Sequence, residues 1–195
     1  MIKTFEFYFD FASPYSFIAH KRIRKLENEN SIKIKYMPVL LGGLLKLAGA
    51  KANVEIPLKG KYMIKDCKLW AEKYSVGFKF NSYFPIKTLS LMRGVLVSEK
   101  NDLAQNFINK VFDAIWKDGL NLNDNTIVEK LLKNLDINPK TFLLDTANNI
   151  IKDDLRNRTN EAHAKGIFGA PSFIINSKMF WGQDRLEFVI NEAKK

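Results

Sequence analysis

An apolar run, Phe5 to Phe9, passes directly into Asp10-Phe11-Ala12-Ser13-Pro14-Tyr15-Ser16-Phe17, and no other stretch limits the possible folds as much. A strand stops where a helix starts. Ser13 is a favoured residue just before a helix, and Pro14 suits the first helical position because its missing N–H would be unpaired there in any case. Unpaired N–H groups and aligned peptide dipoles make such a helix start attractive to an anion such as a thiolate or carboxylate. Two readings of Ser13 stay open, a structural cap and a ligand-binding hydroxyl. Asn138-Pro139 has the same cap-then-proline form and predicts another helix start without any sign of chemistry.

The remaining pattern reads as a strand at residues 3–9, a helix from Pro14 to Glu27, and a strand from Ser31 to Pro38 with alternation at Ile32, Ile34 and Tyr36. Helices are predicted around Gly60 to Tyr74 and from near Thr88, with the aromatic, irregular stretch Phe78 to Pro85 between them. Leu103, Phe107, Val111 and Ile115 recur at helical spacing, and Thr126 with Glu129 has the spacing of a capping box. A polar helix, Asp153 to Lys165, ends at Gly166; a strand Ser172 to Asn176, a turn at Asn176-Ser177, a strand Lys178 to Trp181 and a closing helix with Leu186, Val189 and Ile190 follow. The order is βαβ, a helical block, then αββα. It predicts an α/β chain of thioredoxin-like fold with a large all-helical insertion. The chain is read as a single unit, with the thioredoxin-like part at 1–38 plus 151–195 and the insertion at 39–150.

Composition closes off several chemistries. Of 195 residues 46% are hydrophobic, enough for one domain with a large core. Cys67 is the only cysteine, so an internal disulfide, a Cys-x-x-Cys redox pair and a cysteine zinc cage are excluded. His20 and His163 are the only histidines, and neither has ligand-spaced neighbours; both read as packing or surface residues. No glycine-rich phosphate loop is present. The net charge of +10 is spread along the chain, and the one tight cluster, Lys21-Arg22-Ile23-Arg24-Lys25, reads as the solvated face of a helix whose stripe is Tyr15, Ile18, Ala19, Ile23 and Leu26. Neither nucleic acid nor membrane is expected as a partner, and the start of the chain lacks the layout of a signal peptide, so a soluble cytoplasmic protein is expected.

Phe9 to Ser16, Gly166-Ile167-Phe168-Gly169-Ala170-Pro171, Phe180-Trp181-Gly182-Gln183-Asp184-Arg185-Leu186, and Lys59-Gly60-Lys61-Tyr62-Met63 followed by Asp66 and Trp70-Ala71 together resemble the 2-hydroxychromene-2-carboxylate isomerases and the kappa-class glutathione transferases. The resemblance spans essentially the whole chain. It implies a DsbA-like thioredoxin fold in which a Ser-Pro-x-Ser segment replaces Cys-x-x-Cys, and reduced glutathione as cofactor. Ser13 would hold the glutathione sulfur as a thiolate, with Ser16 supporting the helix start. Pro171 would be a cis proline, Ala170 would offer its backbone to the cysteinyl part, Gln183 and Asp184 would take the γ-glutamyl end, and Lys59 is a candidate for a ligand carboxylate. Gln183 and Asp184 are also candidates for capping the last helix. Ala50 stands where kappa transferases commonly carry an asparagine; nearby Asn53 is a possible substitute. Tyr8, Tyr15, Tyr83 and Trp181 are conceivable pocket walls, with core packing as the default reading.

The implied activity is glutathione-dependent isomerisation of 2-hydroxychromene-2-carboxylate or a similar unsaturated aromatic pyruvate. The alternatives are a kappa-like transferase or peroxidase acting on electrophiles and a non-catalytic thioredoxin-fold binder. A small aromatic carboxylate would be the substrate, and a homodimer is expected.

Overall fold

The structure, a computed structural model, describes residues 4–29 and 32–195. The expected strand starts at Lys3 and Ser31 lie outside the described residues. Strand β1 (Thr4–Phe9) leads into α1 (Pro14–Asn28) and β2 (Lys33–Pro38); α2 (Leu41–Leu47), a 3-10 turn (Asn53–Glu55) and α3 (Pro57–Lys73) follow. Then come α4 (Leu89–Glu99), α5 (Ala104–Trp116), α6 (Asn125–Lys133), α7 (Pro139–Ala147) and α8 (Asn149–Ala164). The chain closes with β3 (Ser172–Ile175), β4 (Lys178–Trp181), a 3-10 turn (Gln183–Arg185) and α9 (Leu186–Ala193).

The strands form one sheet in the order β2-β1-β3-β4, with β1 parallel to β2 and antiparallel to β3. Strand β1 is therefore central, and its alternation supplies both faces of the sheet. Phe5, Phe7 and Phe9 are fully buried on one face, where Phe9 and Phe11 meet Phe112 of α5. Tyr8 points to the other face and packs with Val39, Leu44, Ala162 and Ile167. Helices cover both faces, as buried strands require. The β3–β4 hairpin turns at Asn176-Ser177, both at positive φ, the backbone that two-residue hairpins prefer.

Local signals mark most element ends. Asn138 caps α7 as expected, its side chain accepting from the Lys140 and Thr141 N–H groups, and Gly166 leaves α8 with φ of +88°. Elsewhere the structure corrects the expectation. Helix α3 starts at Pro57 and α8 at Asn149, so the expected seam at residues 150 and 151 falls inside the first turn of α8. Thr126 is not a cap: Asp124 takes that place, its carboxylate 2.8 Å from the Thr126 N–H, and an acidic cap already satisfies the donor a capping box would use. Leu103 precedes α5 and is exposed, whereas Phe107, Val111 and Ile115 are buried. The basic cluster of α1 is only partly solvated. Lys21 pairs with Asp113 of α5 at 2.7 Å, Arg24 pairs with Glu27, and Arg22 lies over the Tyr74 ring.

Among the described residues no helix is long and apolar enough to cross a membrane. Helix α4 crosses α7 where Gly94 leaves no room for a side chain against the rings of Phe142 and Phe107.

Candidate active site

The carboxyl end of β1 and the start of α1 open onto a cleft of about 740 Å3, a size suited to small-molecule ligands. Its position follows from the sheet order. Ser13 comes straight after the central strand, Leu41 and Leu45 follow β2 on one side, Ala170 and Pro171 precede β3 on the other, and Gln183 and Asp184 follow β4.

Ser13 caps α1: its Oγ accepts from the Ser16 N–H at 3.1 Å and donates to the Ala170 carbonyl at 3.0 Å. The hydroxyl thus serves as cap and cleft group together. The Ser16 hydroxyl is fully buried without a partner and does not line the cleft, in keeping with a role at the helix start. The Ala170-Pro171 bond is cis, and the Pro171 carbonyl accepts from Gly182 N–H at 2.9 Å, tying the loop to the end of β4. Gly182 has φ of +100°, a backbone that favours glycine, and a Cβ there would lie 2.5 Å from Asp184 Oδ1 and displace that carboxylate.

Lys59, Ala170, Pro171, Gln183 and Asp184 all line the same cleft as Ser13, and so do Ala50 and Asn53. Gln183 is buried, Asp184 is half-buried and ion-paired with Arg185, and Lys59 is exposed. Neither Gln183 nor Asp184 caps the last helix; Arg185 holds that place without a side-chain bond, because the 3-10 turn at 183–185 already runs into α9. Tyr15 and Trp181 line the cleft. Tyr8 and Tyr83 do not: Tyr8 belongs to the opposite face of the sheet, and Tyr83 is an exposed residue of the 78–85 loop.

Two features of the site escape the sequence. Asp10 is 3% exposed and accepts from Ala12 N–H at 2.9 Å, Leu41 N–H at 2.8 Å and the Thr88 hydroxyl at 2.9 Å, while its carbonyl accepts from Ser13 N–H. Burial raises its carboxyl above the usual range and these donors oppose the rise. The bond to Ala12, two residues on, is a local aspartate turn that could have been suspected; Leu41 and Thr88 leave no mark near Asp10 in the chain. The second feature is Tyr15, whose hydroxyl donates to Asp66 of α3 at 2.8 Å. Burial, with neighbouring Cys67 and Asp66, raises that hydroxyl further above its ordinary value.

Cys67 is buried and outside the cleft lining, and burial, followed by Asp66, pushes its thiol up. It stays protonated at neutral pH and is no nucleophile. His20 is fully buried against Phe112, Tyr36 and Asn109; burial brings it down to about 3, so it is neutral. His163 is half-buried at the end of α8. Among the described residues no group of three or more metal-ligating side chains comes together.

Comparison with known proteins matches this architecture. The chain is 28% identical over 191 residues to a 2-hydroxychromene-2-carboxylate isomerase of Sphingobium xenophagum, covering 97% of both chains. It is 22% identical over 201 residues to glutathione S-transferase kappa 1 of Rattus norvegicus, covering 96% of this chain and 89% of that one. The solved structure of a 2-hydroxychromene-2-carboxylate isomerase superposes with a TM-score of 0.89 at 25% identity, covering 98% of this chain and 94% of the other. The model of the DSBA-like thioredoxin domain matches residues 4–193, and the chain, with its mixed sheet and its helices between β2 and β3, belongs to that family.

Proposed function

We propose that the protein is an isomerase of the 2-hydroxychromene-2-carboxylate type that uses reduced glutathione. The observation that carries the reading is the Ser13 hydroxyl, held at a helix start between a backbone donor and the Ala170 carbonyl, with Gln183 and Asp184 at one side of its cleft and Lys59 at another. The donor set fits the cofactor. Asp184 suits an ammonium group, Lys59 a carboxylate, and the Ala170 carbonyl an amide N–H.

Bound there, glutathione would supply a thiolate nucleophile for reversible addition to a conjugated double bond. The protein's part begins with an exchange of hydrogen bonds. Ser13 would give to the sulfur the proton it now gives to the Ala170 carbonyl, and that carbonyl would take the ligand's amide, so that no buried polar group need be left unpaired. The dipole of α1 and the Ser13 hydroxyl would favour the charged sulfur and lower its pKa. The cleft walls orient the acceptor against it. An aromatic pyruvate is the substrate class, a homodimer the assembly and the cytoplasm the location that go with this reading.

The similarity to a kappa transferase supports a second outcome at the same site, conjugation without release. Titration of glutathione by calorimetry tests the shared premise: saturable binding should weaken on both Ser13→Ala and Asp184→Ala. Turnover of a chromene carboxylate should then fall about a hundredfold in Ser13→Ala, the loss typical of one donor at a developing charge. Absence of binding at millimolar glutathione would overturn the proposal, and permanent attachment of glutathione to the substrate would replace isomerase by transferase.

A further inference from the structure

The proposed glutathione site uses one side of the cleft. Ala170 and Pro171 lead into β3, and Gln183 and Asp184 follow β4, so the thiol ligand lies on the β3 side of Ser13. Toward β2 the lining includes Leu41 and Leu45, which follow that strand, and Ala12 and Phe84 add apolar side chains to the same cleft. This wall is fixed from behind. Leu41 N–H is held by Asp10 at 2.8 Å and Leu40 N–H by the Thr159 hydroxyl at 3.0 Å. The Phe84 ring rests 5.5 Å from Phe80 and 5.8 Å from Trp116, whose indole N–H donates to the Phe11 carbonyl at 2.8 Å. An apolar surface in the same cleft as Ser13, with its backbone and rings already held, suits a flat hydrocarbon ring.

At the rim of the same wall the chain leaving α2 folds back, with Ala50 N–H on the Leu45 carbonyl at 2.9 Å, and brings Lys51 to the cleft. Lys51 is exposed and has no ion-pair partner among the described residues. In the proposed reading Asp184 takes the γ-glutamyl end and Lys59 a ligand carboxylate; Lys59 also lines a neighbouring pocket with Tyr15, Asn53, Leu58, Tyr62 and Met63. With Lys59 assigned to the thiol ligand and Arg185 paired with Asp184, Lys51 is the lining cation left unassigned.

We propose that Leu41, Leu45 and Phe84 seat the aromatic ring of the acceptor and that Lys51 pairs with the acceptor's carboxylate, which makes Lys51 a specificity-determining residue. The inference rests on the proposed glutathione-dependent reading for the division of the cleft. The test is titration of an unreactive pair, 2-naphthoate and 2-naphthamide, into the wild-type protein, Lys51→Met, Lys59→Met and Leu45→Gln, each checked for folding by circular dichroism. Wild type should prefer the carboxylate by a factor of about three to five, the range of an exposed ion pair. Lys51→Met should abolish the preference, Lys59→Met should keep it while weakening glutathione, and Leu45→Gln should weaken both naphthyl ligands alike. A preference that survives Lys51→Met, one lost in Lys59→Met, or no naphthyl binding with or without glutathione overturns the proposal. A Lys51-dependent preference without glutathione binding sustains the subsite and removes the cofactor reading; glutathione binding without the preference does the reverse.

Discussion

Asp10 shows how much of the site depends on a group that touches no ligand. Each carboxylate oxygen is used: Oδ1 by Ala12 N–H and the Thr88 hydroxyl, Oδ2 by Leu41 N–H. Asparagine at this place keeps one acceptor and turns an amide N–H against another donor. Asp10→Asn should therefore lose about 2 kcal/mol in urea unfolding, the cost of leaving a buried donor unpaired. His20 makes a different residue-scale prediction. Its folded pKa lies below the unfolded value, so its contribution is complete above about pH 6.5 and declines as pH falls toward about 3, by about 1.4 kcal/mol per pH unit. Stability measured across that window should be flatter in His20→Asn, whatever its offset at neutral pH.

At the scale of elements, α4 and α7 meet where Gly94 faces Phe142 and Phe107. Gly94→Ala would gain about 1 kcal/mol of helix propensity, but overpacking costs about 1–3 kcal/mol. The rings are buried and boxed in, so the steric cost wins, and a fall in melting temperature is expected where an exposed Gly→Ala exchange in a helix would give a rise. Elements were also the most legible level of the chain. Ser13-Pro14, Asn138-Pro139, Gly166 and Asn176-Ser177 act through neighbours a few residues away, and each local signal could be read without knowing the fold. Thr126 misled because Asp124, two residues earlier, supplies the same bond sooner. Leu103 fits the apolar spacing of α5 but lies before its first turn, where the face it would share does not yet exist.

On the scale of the whole molecule, legibility ends with distance. Ser13 meets the Ala170 carbonyl 157 residues away and Asp10 meets Thr88 across 78; spacing along the chain carries no trace of either contact. The residues of the β3 side were named through family resemblance and do share one cleft, while Leu41, Phe84 and Tyr62 were missed, since an apolar side chain in a groove has the same sequence pattern as one in a core. Tyr8 follows its default reading as a core aromatic: it sits near the motif in sequence but on the opposite face of the sheet in space.

The Asp10 carboxylate also has a mechanical meaning. Three separate lengths of chain, the turn after β1, the start of α2 and the start of α4, are moored to a single post. The edge of the cleft that carries Ala12 and Leu41 is thereby joined to the start of α4 as one piece. Denaturant should consequently erase ligand binding and helical signal at one midpoint, with no half-open species in between, and the pocket should select visitors by outline in the manner of a cut lock.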